Sequence, residues 1–173
     1  MRQVGILVIS DRSSRGERSD KSGPLIQSWA EAANLKVAAL EITPDEATFI
    51  QEKLRLWADE LHLDLILTSG GTGLGPRDVT PEATLAVLER QAQGIPELLR
   101  ATTGIKTPVA ALSRAVAGTR GQALIVNLPG SPKAVEEWLD VLGTLLPHAF
   151  SMLDGKTHEQ ASPHSIHTGG NHD

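Results

Sequence analysis

An α/β sandwich built on a mostly parallel sheet is the fold class this sequence predicts, and three observations lead there. Short, nearly continuous apolar runs rich in β-branched residues occur at 4–9, 64–68 and 122–127, as in strands buried on both faces of a parallel sheet. Between them the apolar residues fall at helical spacing, so strands alternate with helices. No repeat and no linker divides the 173 residues, which make one ordinary domain able to bury a full core.

Val4-Gly5-Ile6-Leu7-Val8-Ile9 is the first strand. A polar loop, 10–22, follows, and Gly23-Pro24 opens a helix carrying Leu25, Ile26, Trp29, Ala33 and Leu35 on one face, with Ser22 as a cap. Residues 36–42 read as a second strand. In Thr43-Pro44-Asp45-Glu46, Thr43 or Asp45 can cap a helix whose apolar stripe is Phe49, Leu54, Trp57 and Leu61. The third strand, 64–68, runs into Ser69-Gly70-Gly71-Thr72-Gly73. After a loop at 74–79, Thr80 as cap and Pro81 at the first helical position start a helix extending to residue 90.

Residues 95–101 read as a short helix, and 115–120 with 122–127 as a strand pair turning at Gly121. Two further helices are expected at 134–142 and 145–153, with His148 half-buried on the second. Beyond Gly155 the apolar pattern stops, and 157–173 holds four of the six histidines among Ser, Thr, Gly and Asn. The domain is expected to span 1–155, with 156–173 a disordered tail.

Composition removes several function classes. With no cysteine there is no disulfide framework, thiolate zinc site, iron–sulfur cluster or cysteine nucleophile. A net charge of −5, from 16 basic and 21 acidic residues, argues against a broad nucleic-acid or anionic-membrane footprint. Three Trp, two Phe and no Tyr leave little for base stacking. No apolar stretch reaches the roughly 18 residues of a spanning helix, so a soluble, cytoplasmic protein is expected.

The chemistry-bearing residues fall in loops after strands, where open α/β sheets bind ligands. Gly70, Gly71 and Gly73, with the Thr72 hydroxyl, let a backbone approach a phosphate closely; the other reading is an ordinary strand-to-helix turn. Asp78 would repel that phosphate unless a cation such as Mg2+ bridged them; alternatively it caps the next helix. Asp45 follows a strand too and either joins the same edge or caps. Leu128-Pro129-Gly130-Ser131-Pro132-Lys133 leaves a strand and enters a helix, whose N-terminus favours anions.

Taken together, Ile9-Ser10-Asp11-Arg12, Asp20-Lys21-Ser22-Gly23-Pro24, Ser69-Gly70-Gly71-Thr72-Gly73, Arg77-Asp78-Val79-Thr80-Pro81 and Leu128 to Lys133 resemble, in order, the MogA/MoaB family of molybdenum-cofactor biosynthesis, over about residues 4–155. The resemblance implies a three-layer α/β/α sandwich with a mostly parallel sheet and one short antiparallel hairpin. It implies a molybdopterin adenylyltransferase using Mg2+ and ATP, with Asp45 and Asp78 as the catalytic, magnesium-associated pair. Asp20, Ser22 and Gly23, the loop Ser69, Gly70, Gly71, Thr72 and Gly73, and the loop Pro129, Gly130, Ser131, Pro132 and Lys133 would line the substrate pocket. A homotrimer and a downstream MoeA-like molybdate insertase are the implied partners. The alternative within the family is a MoaB-type molybdopterin-binding protein without turnover.

Overall fold

In a computed structural model describing residues 1–156, the apolar runs pair into one six-stranded sheet. Of the tail expected at 156–173, all but Lys156 lies outside the described residues. The strands are β1 (Gln3–Ile9), β2 (Lys36–Thr43), β3 (Leu65–Ser69), β4 (Arg90–Gln91), β5 (Ala117–Arg120) and β6 (Ala123–Leu128), in the order β2-β1-β3-β6-β5-β4. The pairs among β2, β1, β3 and β6 are parallel, and β5 runs antiparallel to both β6 and β4. β3 and β6 are buried along their whole length, as unbroken apolar runs require.

The helices are α1 (Asp11–Ser14), α2 (Ser22–Ala32), α3 (Ala47–Arg55), α4 (Thr80–Leu85), α5 (Gly94–Gly104) and α6 (Pro132–Leu153). Strand residues pointing to one face, among them Ile6, Leu67 and Val126, pack with Ile26 of α2, Leu99 of α5 and Trp138 of α6. Those pointing to the other, among them Leu7, Ile66 and Ile125, pack with Ile50 and Leu54 of α3, with Trp57, and with Ala83 of α4. A core on each face makes the three-layer sandwich, and the β5–β6 hairpin turns at Gly121 (φ 54°) as expected.

Local expectations fail in five places. α3 buries Ile50, Leu54 and Trp57, spaced by four and three residues; Phe49 and Leu61 fall off that face and are exposed. The helix ends in a π-helical turn at Leu56–Glu60. α4 stops at Leu85 because the next residues pair along β5: Glu89 N–H donates to Thr119 O and Ala92 N–H to Ala117 O, on either side of the β4 residues Arg90 and Gln91. The two helices expected at the end are one, since the buried face Val135, Trp138, Leu142, Leu146 and Phe150 continues past Gly143 and Pro147. His148 is exposed on it, and Ala33 is exposed at the end of α2.

Capping also differs. Lys21 precedes α2 and Ser22 is its first residue; the Asp20 carboxylate accepts from Ser22 N (2.9 Å) and Gly23 N (3.1 Å) and does the capping. Likewise Glu46, not Thr43 or Asp45, precedes α3, and Val79, not Thr80, precedes α4.

Candidate active site

β1 pairs with β2 on one side and β3 on the other, while α2 and α3 lie on opposite faces. The crevice outside the carboxyl ends of β1 and β3 is therefore the switch point of the sheet. β6, next to β3, adds its own loop. Ser69 Oγ donates to Pro129 O (2.9 Å) and Ser22 Oγ to Gly130 O (3.3 Å), which ties the loops after β3 and β6 and the start of α2 together. Ser131 caps α6 by accepting from Ala134 N, with Pro132 at the first turn.

The glycine loop is shaped by α4. Gly70 (φ 106°) and Gly71 (φ 63°) adopt backbone that side chains disfavour. Thr80 Oγ1 donates to Gly70 O (2.9 Å) and Thr80 N–H to Gly71 O (3.1 Å), so the threonine expected to cap a helix instead buttresses the turn. A Cβ on Gly71 would strike Thr80 and come within 3.0 Å of Asp45 Oδ1.

A cavity of about 560 Å³ opens over this crevice. Asp20, Ser22, Asp45 and Asp78 line it, with Ser69-Gly70-Gly71 and Gly130-Ser131-Pro132 along its wall. Arg12, Arg15, Arg18 and Lys21, all from the segment between β1 and α2, stand on its exposed rim. A second cavity, about 440 Å³ and more apolar, adjoins it, with Thr72, Gly73 and Pro129 beside Val109, Leu112 and Trp138. Gly71, Asp78, Gly130 and Ser131 border both. Two sequence-expected residues line neither: Gly23 is in the first turn of α2 behind Asp20, and Lys133 is exposed in the first turn of α6.

Asp45 is held by Asp11, which the sequence placed in the motif after the first strand without giving it a role. Asp11 N–H donates to Asp45 Oδ2 (2.8 Å), and Asp45 N–H donates back to Asp11 Oδ1 (3.0 Å). Arg77 donates Nε and Nη2 to the Asp11 carboxylate (3.0 Å each) and Nη2 to Glu46 Oε1 (2.9 Å). The guanidinium holds the Asp11 carboxyl below its ordinary range. Asp45 goes the other way: burial holds its carboxyl above the usual range, the Asp11 N–H opposes this, and the charges of Asp11 and Asp78 add to the rise. The Asp11–Asp45 pairing was latent in the register, since Ile9 pairs with Thr43 and each aspartate lies two residues further on. The cationic rim was visible as four basic residues within 12–21. Arg114, which reaches the glycine loop from before β5, carries no local signal.

A family model described as "probable molybdopterin binding domain" matches residues 5–148. The molybdopterin adenylyltransferase of Escherichia coli K12 is 44% identical over 154 residues, covering 86% of this chain and 79% of that protein. The molybdenum cofactor synthesis protein cinnamon of Drosophila melanogaster is 39% identical over 98% of this chain, which spans 31% of that protein's length. The crystal structure of the molybdopterin biosynthesis enzyme MoaB of Thermus thermophilus superposes with a TM-score of 0.85 at 53% identity, over 90% of this chain and 98% of that one. Matched by that model over residues 5–148 and by relatives of this identity and coverage, the chain belongs to the molybdopterin-binding domain family.

Proposed function

We propose that this protein is a molybdopterin adenylyltransferase of molybdenum-cofactor biosynthesis. An oxygen of the terminal phosphate of molybdopterin attacks the α-phosphorus of ATP. A new P–O bond joins AMP to the pterin phosphate, the bond between the α- and β-phosphates breaks, and pyrophosphate leaves with that electron pair. The observation that carries this reading is the position of Asp78 on the border of two adjoining cavities, with Asp45 beside it in the polar one. The polar cavity, with its cationic rim, suits phosphates; the cavity lined by Val109, Leu112 and Trp138 suits a flat ring. Transfer of this kind rests on positioning and charge neutralisation.

Asp45 and Asp78 fit a divalent cation. Both are hard oxygen donors facing one cavity, no arginine is hydrogen-bonded to either carboxylate among the described residues, and burial, with the charges of Asp11 and Asp78 adding to it, keeps the Asp45 carboxyl raised. His, Cys, Asp and Glu form no cluster of three or more that could hold a metal among the described residues, so substrate oxygens would complete the coordination, as Mg2+ ordinarily requires. Bound there, Mg2+ would offset the repulsion between two anionic substrates. Ser22, Ser69, Ser131 and the glycine loop would orient the pterin phosphate, while Arg12, Arg18 and Lys21 would attract the polyphosphate.

No helix among the described residues is long and apolar enough to cross a membrane. The same reading has a cytoplasmic homotrimer that passes its product to a MoeA-like molybdate insertase. The test is mass detection after mixing protein, molybdopterin and Mg-ATP. Adenylylated molybdopterin with an equivalent of pyrophosphate is the expected result. Pterin binding without AMP addition would replace it with a MoaB-type binding role, and ATP binding without pterin binding with a different phosphate-transfer enzyme.

A further inference from the structure

We propose that Arg114 is the positioning residue for Asp78, acting through the main chain of the 73–78 loop and not on the carboxylate. The activity arm of its test rests on the adenylyltransferase reading above; the structural arm does not. Arg114 lies between a 3-10 turn (Pro108–Leu112) and β5. Its N–H donates to Thr72 O (2.8 Å) and its Nε to Gly73 O (2.7 Å). Nη2 donates to Asp78 O (2.6 Å), and Nη1 pairs with the Glu82 carboxylate in the first turn of α4. One planar guanidinium therefore grips both ends of the loop and the helix that follows it.

Between those two anchors the loop closes on itself. Gly75 N–H donates to Asp78 Oδ2 (2.8 Å), and Asp78 N–H donates to Gly75 O (3.0 Å). A Cβ on Gly73 or on Gly75 would lie 2.9 Å or 2.8 Å from Asp78 Oδ2, so the carboxylate rests directly against the turn. Among the described residues no hydrogen bond is made to Asp78 Oδ1. The carboxylate's direction is thus set by where the loop's two ends are held. Arg114 lines neither of the two cavities assigned to substrate. It acts from behind, and its fork is what the role needs: three divergent acceptors suit a guanidinium and not the point charge of a lysine.

Arg114→Gln, Arg114→Lys and the unchanged protein would be compared by amide exchange and by steady-state AMP transfer. In Arg114→Gln the Gly75 amide should exchange roughly tenfold faster or more, while amides of β3 and β6 keep their protection. Its kcat should fall roughly tenfold or more with the KM for ATP held within about threefold, because Arg114 touches no substrate. Arg114→Lys should fall between the two on both measures, and it carries the test if Arg114→Gln does not fold. Unchanged protection at Gly75, or a kcat within about twofold of the unchanged protein, or a loss confined to KM, would overturn the assignment. Should the unchanged protein transfer no AMP, the enzymatic reading falls and the Gly75 amide alone decides the role of Arg114.

Discussion

At the scale of single residues, the molecule holds an acid in a position that works against its own stability. The Asp45 carboxyl is raised by burial and by neighbouring negative charge. The unfolded chain ionises this group near pH 4, so the folded state is favoured while Asp45 is protonated and loses that advantage as pH climbs through its raised value. Asp45→Asn, which keeps an oxygen for the Asp11 N–H, should therefore melt about 1–3 °C higher at neutral pH and no higher near pH 3. It should also lose turnover by roughly a hundredfold or more. Thermal melts at two pH values with an AMP-transfer assay check both; a lower Tm at neutral pH would mean the ionised carboxylate is a net stabiliser. Added Mg2+ should raise the Tm of the natural protein and leave Asp45→Asn unmoved, as ligand linkage requires.

At the scale of elements, α6 is the clearest conflict between local preference and packing. Pro147 supplies no N–H to the helix and its ring crowds the carbonyl four residues back, at Gly143. Gly143 adds the lower helix propensity of glycine, and a Cβ there would sit 3.4 Å from the Trp29 ring, an ordinary contact, so packing does not demand the glycine. Burial of Trp138, Leu142, Leu146 and Phe150 along one face outweighs both breakers. Pro147→Ala should add about 1–2 kcal/mol, the restored hydrogen bond exceeding the roughly 1 kcal/mol that proline contributes by stiffening the unfolded chain. A denaturant titration measures it, and unchanged or reduced stability would show that the helix has already relaxed around the proline. Asn127 does comparable work beneath the site: its Nδ2 donates to Thr68 and Thr84 hydroxyls (2.9 Å each) and its Oδ1 accepts from Val116 N (3.2 Å), joining β3, α4 and β6. Asn127→Ala should cost about 2–3 kcal/mol by stranding those buried groups.

At the scale of the whole molecule, Arg2 ties the amino ends of the interior strands β1 and β3 to the end of the last helix. Its guanidinium donates to Asp64 and Asp154 (2.6 Å each) and lies 5.0 Å from the Phe150 ring centre. The contact with Arg2, reinforced by Lys156, holds the Asp154 carboxyl down at about 2. A depressed carboxyl stabilises the fold above its unfolded value near pH 4 and loses that contribution as pH falls through about 2. Arg2→Met should accordingly lower Tm at neutral pH and move the acid-unfolding midpoint upward, with the two proteins converging near pH 2. Parallel acid titrations followed by circular dichroism would show it, and parallel curves without convergence would assign the loss to the Phe150 contact instead.

Features that depend on neighbours within a few residues were readable from the sequence. Strands β1, β3 and β6 were legible because runs such as Leu65-Ile66-Leu67 can satisfy both faces only inside a parallel sheet. The glycine loop was legible because positive φ at Gly70 and Gly71 is a local demand. Asp45 and Asp78 stood out as carboxylates in loops after strands. Which residues then meet was decided by strand order and register, over separations that no local pattern records. Asp11 and Asp45 lie 34 residues apart in sequence, and each main-chain N–H donates to the other's carboxylate because β1 and β2 end level. Arg114 reaches Asp78 across 36 residues. The stop of α4 and the continuity of α6 were likewise tertiary outcomes, set by pairing along β5 and by an apolar face that burial rewards more than one proline and one glycine penalise.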